Sequence, residues 1–480
     1  AYTLGGVGIA GSGGLTKSGT ATLTLGGNNT YIGPTTVNAG SLALNGSMDG
    51  SSITVATSAS FAQSAGSVIA GPTVSLTLHG NSTLAGANTY GGETIVGIGG
   101  TPNKSVTVNN VAALGSTAGG TTVLGGDGYS LNRLYLGNGI AITNEPLTLK
   151  GDSGRAGLSY NQASGTGTWA GDITCVSAAY FECSTVGGTL ALGVDDTTLI
   201  TNAGSCSLSM RGSSNIELNS RVAVGTGNSL LRNDPGTLLI NSTNNVWGGT
   251  GLAEGTIRLG VSEAMPKTTT LTIGKGDKKA LCAFDLNGHN QTLAGLADIH
   301  YSGTGDTTGT QRILSATPAT LIISNNSART FGLAGSAIEG AITLVKLGSG
   351  TLTLTGVNSY SGATVVSNGT LAVSAGGSLG ANALQIEVGG TGTLSLSTSD
   401  ALSNQAVVSM PAFNVDSAKI HLDEGVEQTV GWLIYDGKFK SVGTYGATGS
   451  GADRIDDTHF SGSGRLRVLS SKSGLIMSLR

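Results

Sequence analysis

Five histidines, 28 carboxylates and four cysteines are the side chains of this 480-residue sequence that could carry acid–base, metal or redox chemistry. Zinc sites need Cys and His at short, fixed spacings. His79, His289, His300, His421 and His459 form no His-x-x-x-His, and no Cys-x-x-Cys accompanies them. His289 stands in Asn287-Gly-His-Asn290, where a turn calls for a polar residue anyway, so structural or surface roles are expected for all five. Enzymes acting on polysaccharides pair carboxylates across the scissile bond. The acidic groups here are Asp195-Asp196, Asp423-Glu424 with Glu427, and Asp453 with Asp456-Asp457, none at a repeated position. Calcium-binding nonapeptide coils need tandem Gly-Gly-x-Gly-x-Asp, and only the lone fragments Gly125-Gly-Asp-Gly128 and Gly303-Thr-Gly-Asp306 occur. Gly462-Ser-Gly464 lies among strands and turns and is no nucleophile elbow. No catalytic, cofactor-binding or metal-binding residue is assigned, and no cofactor is expected.

The cysteines leave a pairing question. Cys175 and Cys183 flank Val-Ser-Ala-Ala-Tyr-Phe-Glu, a span short enough to close a loop. Cys206 follows Cys183 at a spacing close to one turn of a coil, which leaves Cys183–Cys206 open as well. A Cys175–Cys183 disulfide is the expectation.

Composition narrows the class. With 80 Gly but 8 Pro, the chain is not collagen. With 38% hydrophobic residues and a net charge of -4, it is not disordered. Nucleic acid and anionic lipid both need clustered Lys and Arg, and the densest basic segment is only Gly464-Arg-Leu-Arg-Val468. No apolar run reaches the roughly 18 residues that cross a bilayer, so neither a nucleic-acid partner nor a membrane-spanning segment is expected. The start, Ala1-Tyr-Thr-Leu-Gly-Gly, has no charged or hydrophobic leader character. Together with few Lys and an even number of Cys, this points to an exported protein whose signal peptide has been removed.

The elements that hold these residues are set by an internal repeat. Residues 346–373 repeat residues 17–44 without gaps. Within them Asn29-x-Tyr31-x-Gly33-x-Thr35-x-Val37 recurs as Asn358-x-Tyr360-x-Gly362-x-Thr364-x-Val366, and again as Asn88-x-Tyr90-x-Gly92-x-Thr94-x-Val96. Copies lie near 17–44, 76–96, 236–259 and 346–373, the third degenerate, with Asn245-Val-Trp247-Gly-Gly249 in the motif. Leu-Thr-Leu segments are period-2 strands, bounded by Gly and Asn turns. Leu23, Leu25, Leu352 and Leu354 should point inward and the intervening Thr outward. A repeat of this size has no second layer of its own, so successive turns must stack at ~4.8 Å. At roughly 20–29 residues per turn, the chain would make about 17–24 turns. Tyr31, Tyr90 and Tyr360 are expected to cover the corners with their hydroxyls in water.

The pattern Lys-x-Gly-x-Gly-Thr-Leu-Thr-Leu-x-Gly-x-Asn-x-Tyr-x-Gly-x-Thr-x-Val, followed by Gly-Thr-Leu, resembles the autotransporter-associated β-strand repeat, also called the passenger-associated transport repeat. Phe284-Asp-Leu-Asn-Gly-His-Asn-Gln-Thr-Leu-Ala-Gly-Leu296 is similar to a second signature of such proteins, and the segment from Gly443-Thr-Tyr445 to Val468 resembles their closing module. The resemblance implies an all-β, right-handed parallel β-helix on the outside of a bacterium, with adhesive or scaffolding roles and no enzymatic residue set. Residues 1–410 are expected to form the coil and 411–480 a C-terminal capping and assembly module. The sequence closes on Gly474-Leu-Ile-Met-Ser-Leu-Arg480, without the membrane barrel of an autotransporter, so a cleaved passenger or a barrel-free repeat protein is expected.

The expected function is non-enzymatic: a structural subunit of a bacterial surface filament or sheath, polymerising head to tail. Its contacts would involve Leu4 and Ile9 at one end and Leu475, Ile476 and Leu479 at the other, apolar edge residues without a protecting Pro. The alternative is an adhesin that binds extracellular glycans on its surface, with the irregular segment 125–233 as the place to look. A polysaccharide-active enzyme is the remaining alternative.

Overall fold

In Thr351–Leu354 the two leucines are fully buried and the two threonines half-buried, the outcome of a period-2 strand whose apolar face decides the register. Leu25 is equally buried, and Leu23, which pairs with Tyr2 of the exposed strand Tyr2–Leu4, is half-buried. The computed structural model describes residues 1–101, 103–151, 154–276, 280–299, 310–374, 376–410 and 417–470. His300, Gly303-Thr-Gly-Asp306, the start of the 411–480 segment, and Leu475, Ile476 and Leu479 lie outside them. The described residues form an all-β parallel solenoid of about 18 turns, and the one helical element among them is the 3₁₀ turn Leu333–Gly335.

Two compact units make up the chain, Ala1–Gly248 and Gly249–Arg480. In the first, one ladder climbs through Leu15–Lys17, Thr35–Val37, Ile53–Val55, Leu76–Leu78, Thr94–Val96 and Thr121–Leu124, parallel at every step. A second climbs beside it from Thr22–Leu25 through Gly40–Leu44 and Ala59–Gln63 to Ala179–Glu182 and Leu208–Arg211. Since residues in register stack directly, one interior column reads Leu42, Phe61, Ser82, Val106, Leu134, Leu158, Phe181, Met210 and Arg232. All are buried, so the core is a narrow strip shared between successive turns and not a centre.

The second unit winds the same way, from Cys282–Asp285 through Gln311–Ser324, Ala337–Leu347, Thr364–Val366 and Gln385–Val388 to Val407–Met410 and Trp432–Tyr435. Between residues 427 and 468 the winding changes. Trp432–Tyr435 pairs antiparallel with Lys438–Phe439, and Arg465–Val468 lies parallel to Glu427–Val430 but antiparallel to Gly443–Gly446. Corners need left-handed backbone. Gly40 and Gly369, equivalent in the two best repeat copies, have φ of 68° and 64°, and a Cβ on either would meet a carbonyl of the preceding turn at 2.5 and 2.4 Å.

Candidate functional site

Asn29, Asn88 and Asn358 are each at least 97% buried, and each joins three successive turns. Their Oδ1 atoms accept from the backbone N–H of Ile9, Ile69 and Ile338 on the turn before, at 2.8–3.0 Å. Their Nδ2 atoms donate to the carbonyls of Ser47, Ala113 and Ser378 on the turn after, at 2.9, 2.7 and 2.7 Å. Only a planar amide offers a donor and an acceptor side by side, which accounts for Asn at this register. In the degenerate copy, Asn245 still accepts from Val222 N–H at 2.7 Å.

Tyr31, Tyr90 and Tyr360 point into the core, not to solvent, correcting the sequence expectation. A buried phenol needs a partner, and Thr supplies it four residues on: Tyr31–Thr35 at 2.5 Å, Tyr90–Thr94 at 2.6 Å and Tyr360–Thr364 at 2.6 Å. Burial pushes all three hydroxyls above their ordinary value, against the lowering effect of the Thr bond. Gly33, Gly92 and Gly362 sit between Tyr and Thr because the preceding turn is too close for a side chain. An added Cβ would lie 2.5, 2.5 and 2.3 Å from its backbone.

The repeat holds a buried cation as well, which sequence reasoning missed. Lys17 and Lys346 occupy the same repeat position, 8% and 0% exposed. Lys346 Nζ donates to the carbonyls of Leu347 and Gly348 and, at 3.2 Å, to Asn368 on the next turn. Lys17 makes the equivalent contacts with Gly19 and, at 2.9 Å, Ala39. Arg232 precedes Gly236-Thr-Leu as Lys346 precedes Gly350-Thr-Leu, and its guanidinium donates to the carbonyls of Gly236, Met210 and Gly212. Desolvation lowers the Lys346 ammonium to about 8. The signal was available: a Lys at an invariant place in two copies of a sparsely charged sequence.

The acidic groups serve their own loops. Asp195 accepts from Thr197, Asp453 from Thr444 and Asp457 from Thr448, and these bonds hold all three carboxyls below the usual range. Burial raises Asp456, but hydrogen bonds and charge from His459 outweigh it, with Nδ1 at 2.9 Å. His421 bridges Asp423 and Ser461. His79 and His289 are half-buried, His289 in its expected turn. A depression of about 420 Å³ is lined by Ser399, Asp400, Asn404, Glu427 and Gln428, but Glu427 is already bound by Arg465 and Arg467. Among the described residues, no group of three or more His, Cys, Asp and Glu could hold a metal ion.

An exposed cluster lies on the irregular part of the first unit. The Arg155 guanidinium stands 5.1 Å from the centre of the Tyr129 ring and 5.0 Å from that of Tyr180, and the Arg211 guanidinium stands 6.0 Å from that of Tyr180. Neighbouring ion pairs tie Arg133 to Glu182 at 2.8 Å and Arg211 to Asp234 at 2.7 Å. Tyr129 is 87% exposed. Such a surface offers ring faces and guanidinium donors together.

All four cysteines are buried free thiols. Cys175 and Cys183, the pair the sequence suggests, stand at different strands of one turn. Cys175 ends Ile173–Cys175, whereas Cys183 follows Ala179–Glu182, so a corner and an extended strand separate them. The Cys175 thiol bonds instead with Cys206, and Cys183 with Ser214.

Leu4 is 45% exposed and Ile9 half-buried, on the open side of the first turn. No helix among the described residues is long and apolar enough to cross a membrane.

No curated protein and no solved structure matches the chain. The passenger-associated-transport-repeat model matches residues 15–44 and 344–373, the two copies in which the bridging Asn, the Tyr–Thr pair and the buried Lys coincide. Repeat and fold together fit a passenger-like surface protein of the kind that is exported to the cell surface. The chain is therefore a parallel β-solenoid carrying the passenger-associated transport repeat.

Proposed function

We propose that this is a non-enzymatic structural protein of the bacterial surface, a solenoid subunit of an extracellular filament or sheath. One observation carries the reading: the residues the sequence repeats most faithfully are buried and structural, Asn29/Asn88/Asn358 binding turn to turn and Tyr31/Tyr90/Tyr360 bonding to Thr inside the turn. What recurs is thus what builds the coil. The strand Tyr2–Leu4 pairs on one edge with Thr22–Leu25 and presents Tyr2 and Leu4 to solvent, an edge that accepts a further turn by strand addition. That further turn is, in this proposal, the end of another copy, and residues 411–480, with their antiparallel pairings, form the closing and assembly module. A polysaccharide-active enzyme has no comparable support, because the grouped carboxylates cap local backbone and hydroxyls. The test is electron microscopy with sedimentation of the purified chain, compared with Leu4→Lys. Filaments that shorten in the variant are expected; discrete single particles at every concentration would overturn the polymer.

A second reading, adhesion, rests on the Tyr129–Arg155–Tyr180–Arg211 cluster. Sugar rings stack on aromatic faces, and guanidinium groups bind the carboxylates of acidic glycans. Retention of extracellular glycans on an array, lost in Arg155→Ala and Tyr180→Ala while the fold persists, would establish it. Equal retention by both variants would remove it.

A further inference from the structure

Cys175 and Cys206 lie at the same corner of two successive turns. The strands leading into that corner are in register, Ile173 with Ile200 and Cys175 with Asn202, and those leading out are in register from Ala179 with Leu208. The corner is pinned at both ends, by Ala203 N–H on the Cys175 carbonyl at 3.0 Å and Ala179 N–H on the Ser207 carbonyl at 3.2 Å. The lower turn crosses it with residues 176–178, the upper with the longer segment 203–207. That extra length lets Cys206 turn its side chain inward, held by its N–H on Asn228 Oδ1 at 2.7 Å. Both side chains are buried, 0% and 1% exposed, and each thiol is the largest influence on the other's ionisation, raising Cys175 and lowering Cys206. Cys175 itself stacks on Asn202, so it is the inward turn of Cys206, four residues further along the next turn, that brings the two side chains together at this corner.

We propose that Cys175 and Cys206 are a disulfide-forming pair that staples two consecutive turns after export. The chemistry is thiol–disulfide exchange with a disulfide-bearing oxidant of the extracytoplasmic space. One thiolate attacks the oxidant's sulfur and forms a mixed disulfide; the second displaces it, so two protein thiols lose two protons and two electrons and the oxidant leaves as two thiols. Both sulfurs are shut away from an external oxidant, so exchange belongs to the chain before its corner closes. Cys183, bonded to Ser214, and Cys282, buried in the second unit, stay reduced.

The full chain, refolded in a mixed glutathione buffer, is denatured, alkylated without reduction and cleaved after Glu and Asp. Cleavage at Glu182, Asp195 and Asp196 places the first three cysteines on separate peptides. The expected product is a Cys175–Cys206 cross-linked peptide, with Cys183 and Cys282 alkylated. Cys175→Ser should abolish it and leave Cys206 alkylated. Four alkylated cysteines in the wild type, or a link involving Cys183, would overturn the proposal. Should Cys175→Ser fail to fold, the wild-type map alone decides.

Discussion

The Tyr360 hydroxyl lies 2.6 Å from Thr364 Oγ1, inside the coil and four residues along the same turn. Tyr31–Thr35 and Tyr90–Thr94 reproduce the bond within 0.1 Å. At the residue between, Gly362, the backbone of the turn before leaves no room for a side chain. Ring, hydroxyl partner and close backbone approach are thus one device: the Tyr fills the corner, the Thr satisfies its hydroxyl, and the Gly lets the stack close over both.

Removing only the hydroxyl tests this device. Tyr360→Phe leaves the buried Thr364 Oγ1 without its partner and should cost about 1–3 kcal/mol, while Tyr360→Ala should cost about 3–5. Thr364→Val added to Tyr360→Phe should cost less than the sum of the two single changes, since nothing polar is then stranded. Denaturant titrations of the four proteins give the cycle; strict additivity would mean the 2.6 Å contact contributes nothing.

Gly362→Ala should destabilise by about 1–3 kcal/mol, because the new Cβ would sit 2.3 Å from the Ile342 carbonyl oxygen and backbone must move. Gly227→Ala is the control: no atom lies within 4 Å of its Cβ position. A change within about 0.5 kcal/mol is expected there. Equal effects at the two positions would show that close stacking is not what selects Gly362.

Alkaline titration should show Lys346. Its folded value, about 8, lies below the ordinary 10.5, so between those values the unfolded chain binds more protons than the native one. Stability therefore gains a rising contribution with pH across about 8 to 10.5. Tyr90 and Tyr360 act oppositely, since their burial raises the native value and unfolded tyrosines ionise first above pH 10. Chemical denaturation at successive pH values should give a steeper rise from pH 8 to 10 for the wild type than for Lys346→Met. Parallel curves would contradict a desolvated ammonium at this site.

The alternation of Leu and Thr was legible because a strand allows two phases and Leu352 burial selects one. Asn, Tyr and Gly announced themselves by recurring. What they do did not: Tyr31 has an amphipathic side chain that suits either side of a corner, and Thr35 reads equally as a strand former. Lys346 was missed because Lys is seldom fully buried, although three carbonyls converge on its ammonium. The Arg155–Tyr180 contact and the Cys175–Cys206 corner depend on how turns of unequal length stack outside the repeat. No spacing in the sequence encodes that.

Leu354→Asp tests whether the coil is a stack of semi-independent turns. Leu354 is fully buried, between Phe331 of Arg329–Phe331 and Val373 of Thr370–Val373. A carboxylate between two buried apolar register partners should cost several kcal/mol. Because a turn contacts only its neighbours, the loss should stay near those three strands. Hydrogen exchange should show lost protection across Arg329–Phe331, Thr351–Leu354 and Thr370–Val373, while Leu15–Lys17 and Thr35–Val37 exchange as in the wild type. Simultaneous loss of protection along the whole chain would mean that the turns fold as one cooperative body, and the nearest-neighbour account of this coil would fail.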